Sequence, residues 1–355
     1  MTTDVFRFAR AGALAACALA ALLVLPRPAA ADDALTVVGG STATGFFEVL
    51  DLVAQEAGFF KDEHLIVDKQ YSGNSSVAAQ LVASNKADIG SFAIEPILSG
   101  YEKGLRLTGF FSRGPRYVQV LAVLDGSPIK TLADFKGTTI GEYSVGSAAE
   151  IPANSELSGA GLKRSDYTYL PIGAGSQAIA AMTSGRVAGV AFPFPELVTY
   201  ETFAGQKYRY FWHPILKDIP ASSYAASPAT IETKGDQLRR FSRALVKASI
   251  LIRENPQLAA KYFVIGSGQK VTDQAIANEA RLLAAAHDLL AGDIPTSTTI
   301  GTMPLRGAAV LAKFMYDNGL TAQIVPASAI ATNQFIASAN DFDHQAFIAQ
   351  VKRMR

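Results

Sequence analysis

Cysteine is nearly absent. The 355-residue chain has one, Cys17, and it sits in an N-terminal segment that reads as removable. Without that segment the chain has no disulfide and no thiol nucleophile. Histidine is scarce too: His64, His213, His287 and His344 are far apart and lack metal-ligand spacing. An excess of charge is also missing, with 32 Lys plus Arg against 31 Asp plus Glu. No basic stripe calls for nucleic acid, and no polybasic segment calls for a membrane surface. After Asp32 no apolar run approaches the roughly 20 residues of a membrane span. There is no P-loop and no G-x-S-x-G, and Gly173-Ala174-Gly175 reads as a turn rather than a dinucleotide fingerprint. An enzyme is therefore not expected, and neither a cofactor nor a metal is required.

The N-terminus has the layout of a secretory signal. Arg7 and Arg10 form a basic start, Ala11 to Leu25 is apolar, and Ala29-Ala30-Ala31 supplies small residues before Asp32. Residues 1–31 are read as the signal peptide and the mature chain as periplasmic. Leu14-Ala15-Ala16-Cys17 resembles a lipoprotein processing site. The apolar run before it is very short, so a lipid anchor at Cys17 is the secondary reading.

The rest is long enough for two domains at roughly 150 residues each. Strand-like and helix-like segments alternate, which argues for an α/β fold with largely parallel sheets. Leu35 to Val38, Leu65 to Tyr71 and Ala87 to Gly90 read as strands. Phe46 to Ala57 and Ser76 to Ser84 have helical spacing. A second cycle begins near Ile129, with strands at 139–141, 167–170 and 187–191 and helices at 147–159 and 176–184. The cycles match at an offset of 100 residues: Ser76, Ala78, Ser84 and Phe92 recur as Ser176, Ala178, Ser184 and Phe192. Two similar α/β lobes with a cleft between them are expected. Helices follow at 236–254, 273–290, 305–318 and 343–355, with stripes that look like ordinary core faces.

Several segments then resemble one family. Gly58-Phe59-Phe60-Lys61-Asp62-Glu63-His64-Leu65 is similar to the "GFFKDEGL" segment of nitrate/sulfonate/taurine-type (NitT/TauT) ABC solute-binding proteins. Ser84 to Gly90, Thr131 to Gly137, Ile140-Gly141, Ala181 to Val187 and Asn255 to Ala260 follow in that family's order. The resemblance implies a type II periplasmic-binding fold with two hinge crossovers. Lobe 1 would comprise residues 32–121 and 224–355, and lobe 2 residues 122–223. It also implies a small-molecule ligand, an ABC permease and ATPase as partners, and a monomeric receptor. Three departures stand out. His64 replaces a usual glycine, Ala188 replaces a usual aspartate, and Pro152 falls early in a predicted helix, where it would shorten or kink it.

Ligands of open parallel sheets gather beyond the carboxyl ends of the strands, near helix N-termini. The candidate ligand contacts on that basis are Thr42, Thr44, Asn74, Ser75, Ser91, Phe92, Tyr143, Ser144, Ser147 and Phe192. Arg113, Arg116 and Tyr117 join them beside a strand at 107–111, the arginines as bidentate partners for an anion. The hydroxyls and Asn74 equally suit plain helix capping. A small anion such as a sulfonate, nitrate, taurine or an aromatic carboxylate is the expected ligand. Glu95 and Glu196 leave an amine open, and the aromatics leave a pyrimidine or thiamine precursor open.

Overall fold

The fold is that of a computed structural model, which describes residues 32–41, 46–114, 117–214, 219, 222–291 and 299–355. The predicted signal segment, Cys17, Thr42, Thr44 and Arg116 lie outside them. Strands β1 (Asp33–Gly39), β2 (Leu65–Tyr71), β3 (Ile89–Ala93) and β4 (Thr108–Gly114) build a first sheet. Strands β5 (Gln119–Leu124), β6 (Thr139–Glu142), β7 (Thr168–Pro171), β8 (Gly189–Pro193) and β9 (Tyr208–Phe211) build a second. Strand β10 (Ser222–Ala226) returns to the first.

The sheet orders are β2-β1-β3-β10-β4 and β7-β6-β8-β5-β9. In each, three strands are parallel and the two at one side run antiparallel to their neighbours. Strand β3 thus corresponds to β8 at the expected offset of 100. The chain crosses between Gly114 and Gln119 and returns between Phe211 and Ser222. Both crossings fall a few residues before the expected boundaries. Residues 119–121 pair within the second sheet, and Ser222 and Ser223 within the first. The run Val120–Leu124 is apolar throughout and gives no internal sign of a boundary, whereas Gly114 a few residues before it does.

Helices cover both faces of each sheet, which is why the central parallel strands β3 and β8 are buried along nearly their whole length. In the first lobe α1 (Val49–Glu56), α2 (Ser75–Ala83) and α3 (Glu95–Tyr101) alternate with the strands. In the second, α4 (Glu150–Gly159), α5 (Ser176–Thr183) and α6 (Phe194–Ala204) do so. The C-terminal part supplies α7 (Gly235–Glu254), α8 (Pro256–Gly266), α9 (Asp273–Ala291) and α10 (Leu305–Asp317). The stripe Leu238, Phe241, Leu245 and Ala248 of α7 is fully buried against the first sheet and α1.

Local chemistry sets the ends of these elements. Asn74 caps α2 by accepting from Val77 N at 2.9 Å, and Asn255 caps α8 with Pro256 at its first position. Gly58 and His64 are both left-handed, at φ 79° and 54°. His64 therefore occupies the strained conformation that the usual glycine would take freely. Helix α4 is shorter than predicted at the end where Pro152 falls. The helix starts at Glu150, so the proline lies in the first turn, where its missing N–H has no intrahelical acceptor to lose. Among the described residues no helix is long and apolar enough to cross a membrane.

Candidate functional site

A cavity of about 460 Å³ lies between the two sheets, at the carboxyl ends of their parallel strands. The first lobe contributes Ser41 after β1, Asn74 and Ser75 at the start of α2, Ser91 and Phe92 in β3, and Arg113 in β4. The second contributes Tyr143, Ser144 and Ser147 after β6, Gly175 before α5, and Glu196 and Thr199 on α6. Val118, Gln119 and Ser222 line it beside the two crossings.

Arg113 is aimed by a β-bulge. Ser223 of β10 pairs with Ser112 and Ser222 pairs with Gly114, so Arg113 is the extra, unpaired residue of β4. Its Nη1 donates to Phe47 O at 2.7 Å and Ser91 Oγ at 2.6 Å, and its Nε donates to Ser222 Oγ at 3.2 Å. The guanidinium also lies 5.5 Å from the Phe47 ring centroid and 5.6 Å from that of Tyr224. Nη2 has no hydrogen-bond partner among the described residues and keeps two donors for an acceptor in the cavity.

Carboxylates outnumber this cation. Glu48 is buried in the lining and accepts from Ser41 Oγ at 2.8 Å. Burial pushes its acid form up in pH, opposed by the charges of Lys69 and Arg113 and by the Ser41 hydroxyl. Glu196 accepts from Tyr200 Oη at 2.8 Å, and Gly175 N donates to that phenol oxygen at 2.7 Å. Burial raises the Glu196 carboxyl as well, against the Tyr200 and Gly175 hydrogen bonds. Gln119 is only 7% exposed, yet its Oε1 has no partner.

The predicted contacts divide. Asn74, Ser75, Ser91, Phe92, Arg113, Tyr143, Ser144 and Ser147 all reach the cavity. Several also serve the fold: Asn74 caps its helix, Ser75 Oγ accepts from Ala93 N at 3.3 Å, and Ser91 supports Arg113. Tyr117 does not line the cavity. It is buried in the first lobe's core and donates its hydroxyl to Glu95 Oε1 in a short hydrogen bond. That bond also removes Glu95 from the candidates for an amine contact, whereas Glu196 remains. Phe192 is fully buried behind the wall, edge-on to Tyr143 at 6.0 Å and to Tyr200 at 6.4 Å. It supports Tyr143 rather than facing the cavity.

Sequence reasoning missed Glu48, Gln119 and a wall from the C-terminal helices: Phe263 of α8, Gln269, and Glu279 and Leu282 of α9. Glu48 carried a weak signal as an acidic residue next to the first candidate loop. The α8–α9 wall carried none, because an amphipathic stripe does not say which lobe it meets.

Residues 49–259 match the family described as NMT1/THI5 like. The chain belongs to that family. Comparison with curated proteins finds no match. Among solved structures, a protein from Bordetella bronchiseptica RB50 is similar at TM-score 0.71 and 23% identity, covering 87% of this chain and 97% of that one. The periplasmic aliphatic sulphonate binding protein SsuA from Escherichia coli is similar at TM-score 0.61 and 20% identity, covering 84% and 91%. The desulfurization enzyme DszB shares the fold too, at TM-score 0.54 and 16% identity, covering 86% and 98%. These likenesses establish the two-lobed type II periplasmic-binding fold expected from the segments around Gly58, Ser84 and Thr131. They also show that this fold carries both binding proteins and an enzyme.

Proposed function

We propose that this NMT1/THI5-like chain is the periplasmic solute receptor of an ABC importer and that it captures a small sulfonate-type anion by closure of its two lobes. The observation that carries the reading is Arg113, held by three hydrogen bonds on the wall of an interlobe cavity with two donors left over. A sulfonate oxygen accepts such charge-assisted bonds well. Hydroxyls of Ser144 and Ser147 line the same space and offer further donors. Contacts from both lobes favour the closed form over the open one, and the permease reads that closed surface. The receptor acts as a monomer without turning its ligand over.

The test is a thermal-shift screen of refolded, ligand-free protein against alkanesulfonates, nitrate, aromatic carboxylates and aminopyrimidines. A ligand at about 100 times its dissociation constant stabilises the protein by about 2.7 kcal/mol. Stabilisation by a sulfonate, with the compound recovered unchanged, supports the reading, and a screen in which every sulfonate is silent sinks it. The second reading, a pyrimidine receptor, is favoured by Phe47 and Tyr143 in the lining. A response to aminopyrimidines alone would establish it.

A further inference from the structure

The loop between β6 and α4 carries Tyr143, Ser144 and Ser147 to the cavity wall. It has a glutamate at each end: Glu142 is the last residue of β6, and Glu150 is the first of α4. The shared topology does not demand an acid at the strand end, because Glu142 pairs with Ala191 where Gly39 of the first lobe pairs with Ser91. Within the loop, Ser147 N donates to Ser144 O and Glu150 N to Ser147 O, each at 3.0 Å. Glu150 Oε1 also accepts from Gly146 N at 3.1 Å. The Glu142 carboxyl is hydrogen-bonded to the Glu150 carboxyl and to the N–H of Ser147. Its side chain is buried, and its Oε2 has no donor among the described residues. Two ionised carboxylates only accept, so a hydrogen bond between them requires a proton on one.

The other charged and titratable groups that face the pair are Arg164, in the turn before β7, and the phenols of Tyr167 and Tyr169. Both phenols donate to Asn154 Oδ1, at 2.8 and 3.0 Å, and burial holds both above their ordinary range. Arg164 donates to Tyr167 O at 3.1 Å and lies over the two rings, 5.3 and 4.9 Å from their centroids.

We propose that Glu142 and Glu150 are positioning residues for ligand capture: one proton shared between them clamps the two ends of the loop and so holds Tyr143, Ser144 and Ser147 in place. The inference rests on the interlobe cavity being the capture site, as proposed above, and makes capture depend on pH. Burial first, then the hydrogen bond and charge of Glu150, push the Glu142 carboxyl up to about 8, opposed by Ser147 N–H and Arg164. Below that pH the pair keeps its proton and the loop stays clamped. Above it the proton leaves to solvent, two carboxylates face each other at the base of the loop, and the clamp becomes a repulsion.

Two measurements on the intact, ligand-free protein and on Glu142→Gln test this at about pH 7 and about pH 9, on either side of that titration. Glutamine donates to Glu150 at every pH and has no proton to lose in this range. Glu156, on the same helix, is also pushed up to about 8 but faces Tyr117, and it is common to both proteins. In hydrogen exchange read by mass spectrometry, residues 143–149 should exchange faster in the wild type than in the variant at the higher pH only. In calorimetry with ethanesulfonate, which stays ionised throughout, wild-type affinity should fall roughly tenfold, following the drop in the clamped fraction. The variant should keep its affinity across the two conditions. Equal exchange of the loop in the two proteins at the higher pH overturns the proposal, and so does a fall in affinity that persists in the variant or is absent from the wild type. Failure of ethanesulfonate to bind at either pH removes the sulfonate reading instead, and the exchange comparison alone then decides the clamp. If Glu142→Gln does not fold, Glu150→Gln takes its place, because it keeps an acceptor for Gly146 N and donates to Glu142.

Discussion

Glu95 should make this protein less stable as the pH rises towards neutrality. Its side chain is 0% exposed, one oxygen takes the Tyr117 hydroxyl, and the other has no partner. Burial is the main cause that moves its titration from the ordinary 4.5 to about 7, with the Tyr117 bond opposing. A folded-state value above the unfolded one means that the folded protein holds a proton the unfolded chain gives up. The contribution is therefore fully present below pH 4.5 and is lost as the pH climbs to about 7. At roughly 1.4 kcal/mol per pH unit, the loss across that window is about 3 kcal/mol. Glu95→Gln imitates the protonated acid at every pH and keeps an acceptor for Tyr117. Urea unfolding across the window should find the two proteins equally stable at its acid end. At neutrality the variant should lead by about 3 kcal/mol. Wild-type protein retains a slope from Glu156, whose buried carboxyl is pushed up to about 8, so the difference between the two proteins is the quantity to read. Parallel curves, or a variant that is weaker at neutrality, would refute the reasoning.

Three further outcomes are expected. Arg113→Met should weaken an anionic ligand by about 1.5–3 kcal/mol in calorimetry. It should also lower the melting temperature, because the same guanidinium ties β4 to Phe47, Ser91 and Ser222. Phe192→Ala should cost about 3–5 kcal/mol of stability in denaturant unfolding, as a fully buried ring lost between Tyr143 and Tyr200. His64→Gly should gain up to about 1 kcal/mol by relieving a left-handed backbone, net of the glycine's own entropy; a loss on unfolding would show that the exposed His64–Asp32 pair matters more.

The fold was legible where period and punctuation agree. Strands β1, β2 and β3 and helix α7 follow from apolar runs and their caps, and the offset of 100 residues anticipated two sheets of one topology. The site was legible where backbone position alone decides, as with Asn74 before α2, Ser91 at the end of β3 and Tyr143 after β6. It was not legible where side-chain direction decides. Tyr117 sits beside the cavity residue Val118 in sequence but turns into the core to meet Glu95. Arg113 reaches the cavity through a bulge, which breaks the alternation that a sequence pattern reads. Glu279 lies about 80 residues after Glu196 on a helix whose stripe serves two lobes, and periodicity carries no information about a second partner.

The place of β10 governs the order in which the protein can assemble. It lies between β3 and β4, and β4 has no other strand beside it among the described residues. Gly114 therefore waits for Ser222 before its strand can pair. Every strand of the second sheet, by contrast, falls within the continuous stretch from Gln119 to Phe211. As the chain emerges from its N-terminus the second sheet can be completed first, while the first remains an unpaired strand and a three-stranded parallel fragment. Such long-range closure is intrinsically slow. It leaves an exposed strand edge until late, which is the state in which a newly made chain is most prone to aggregate.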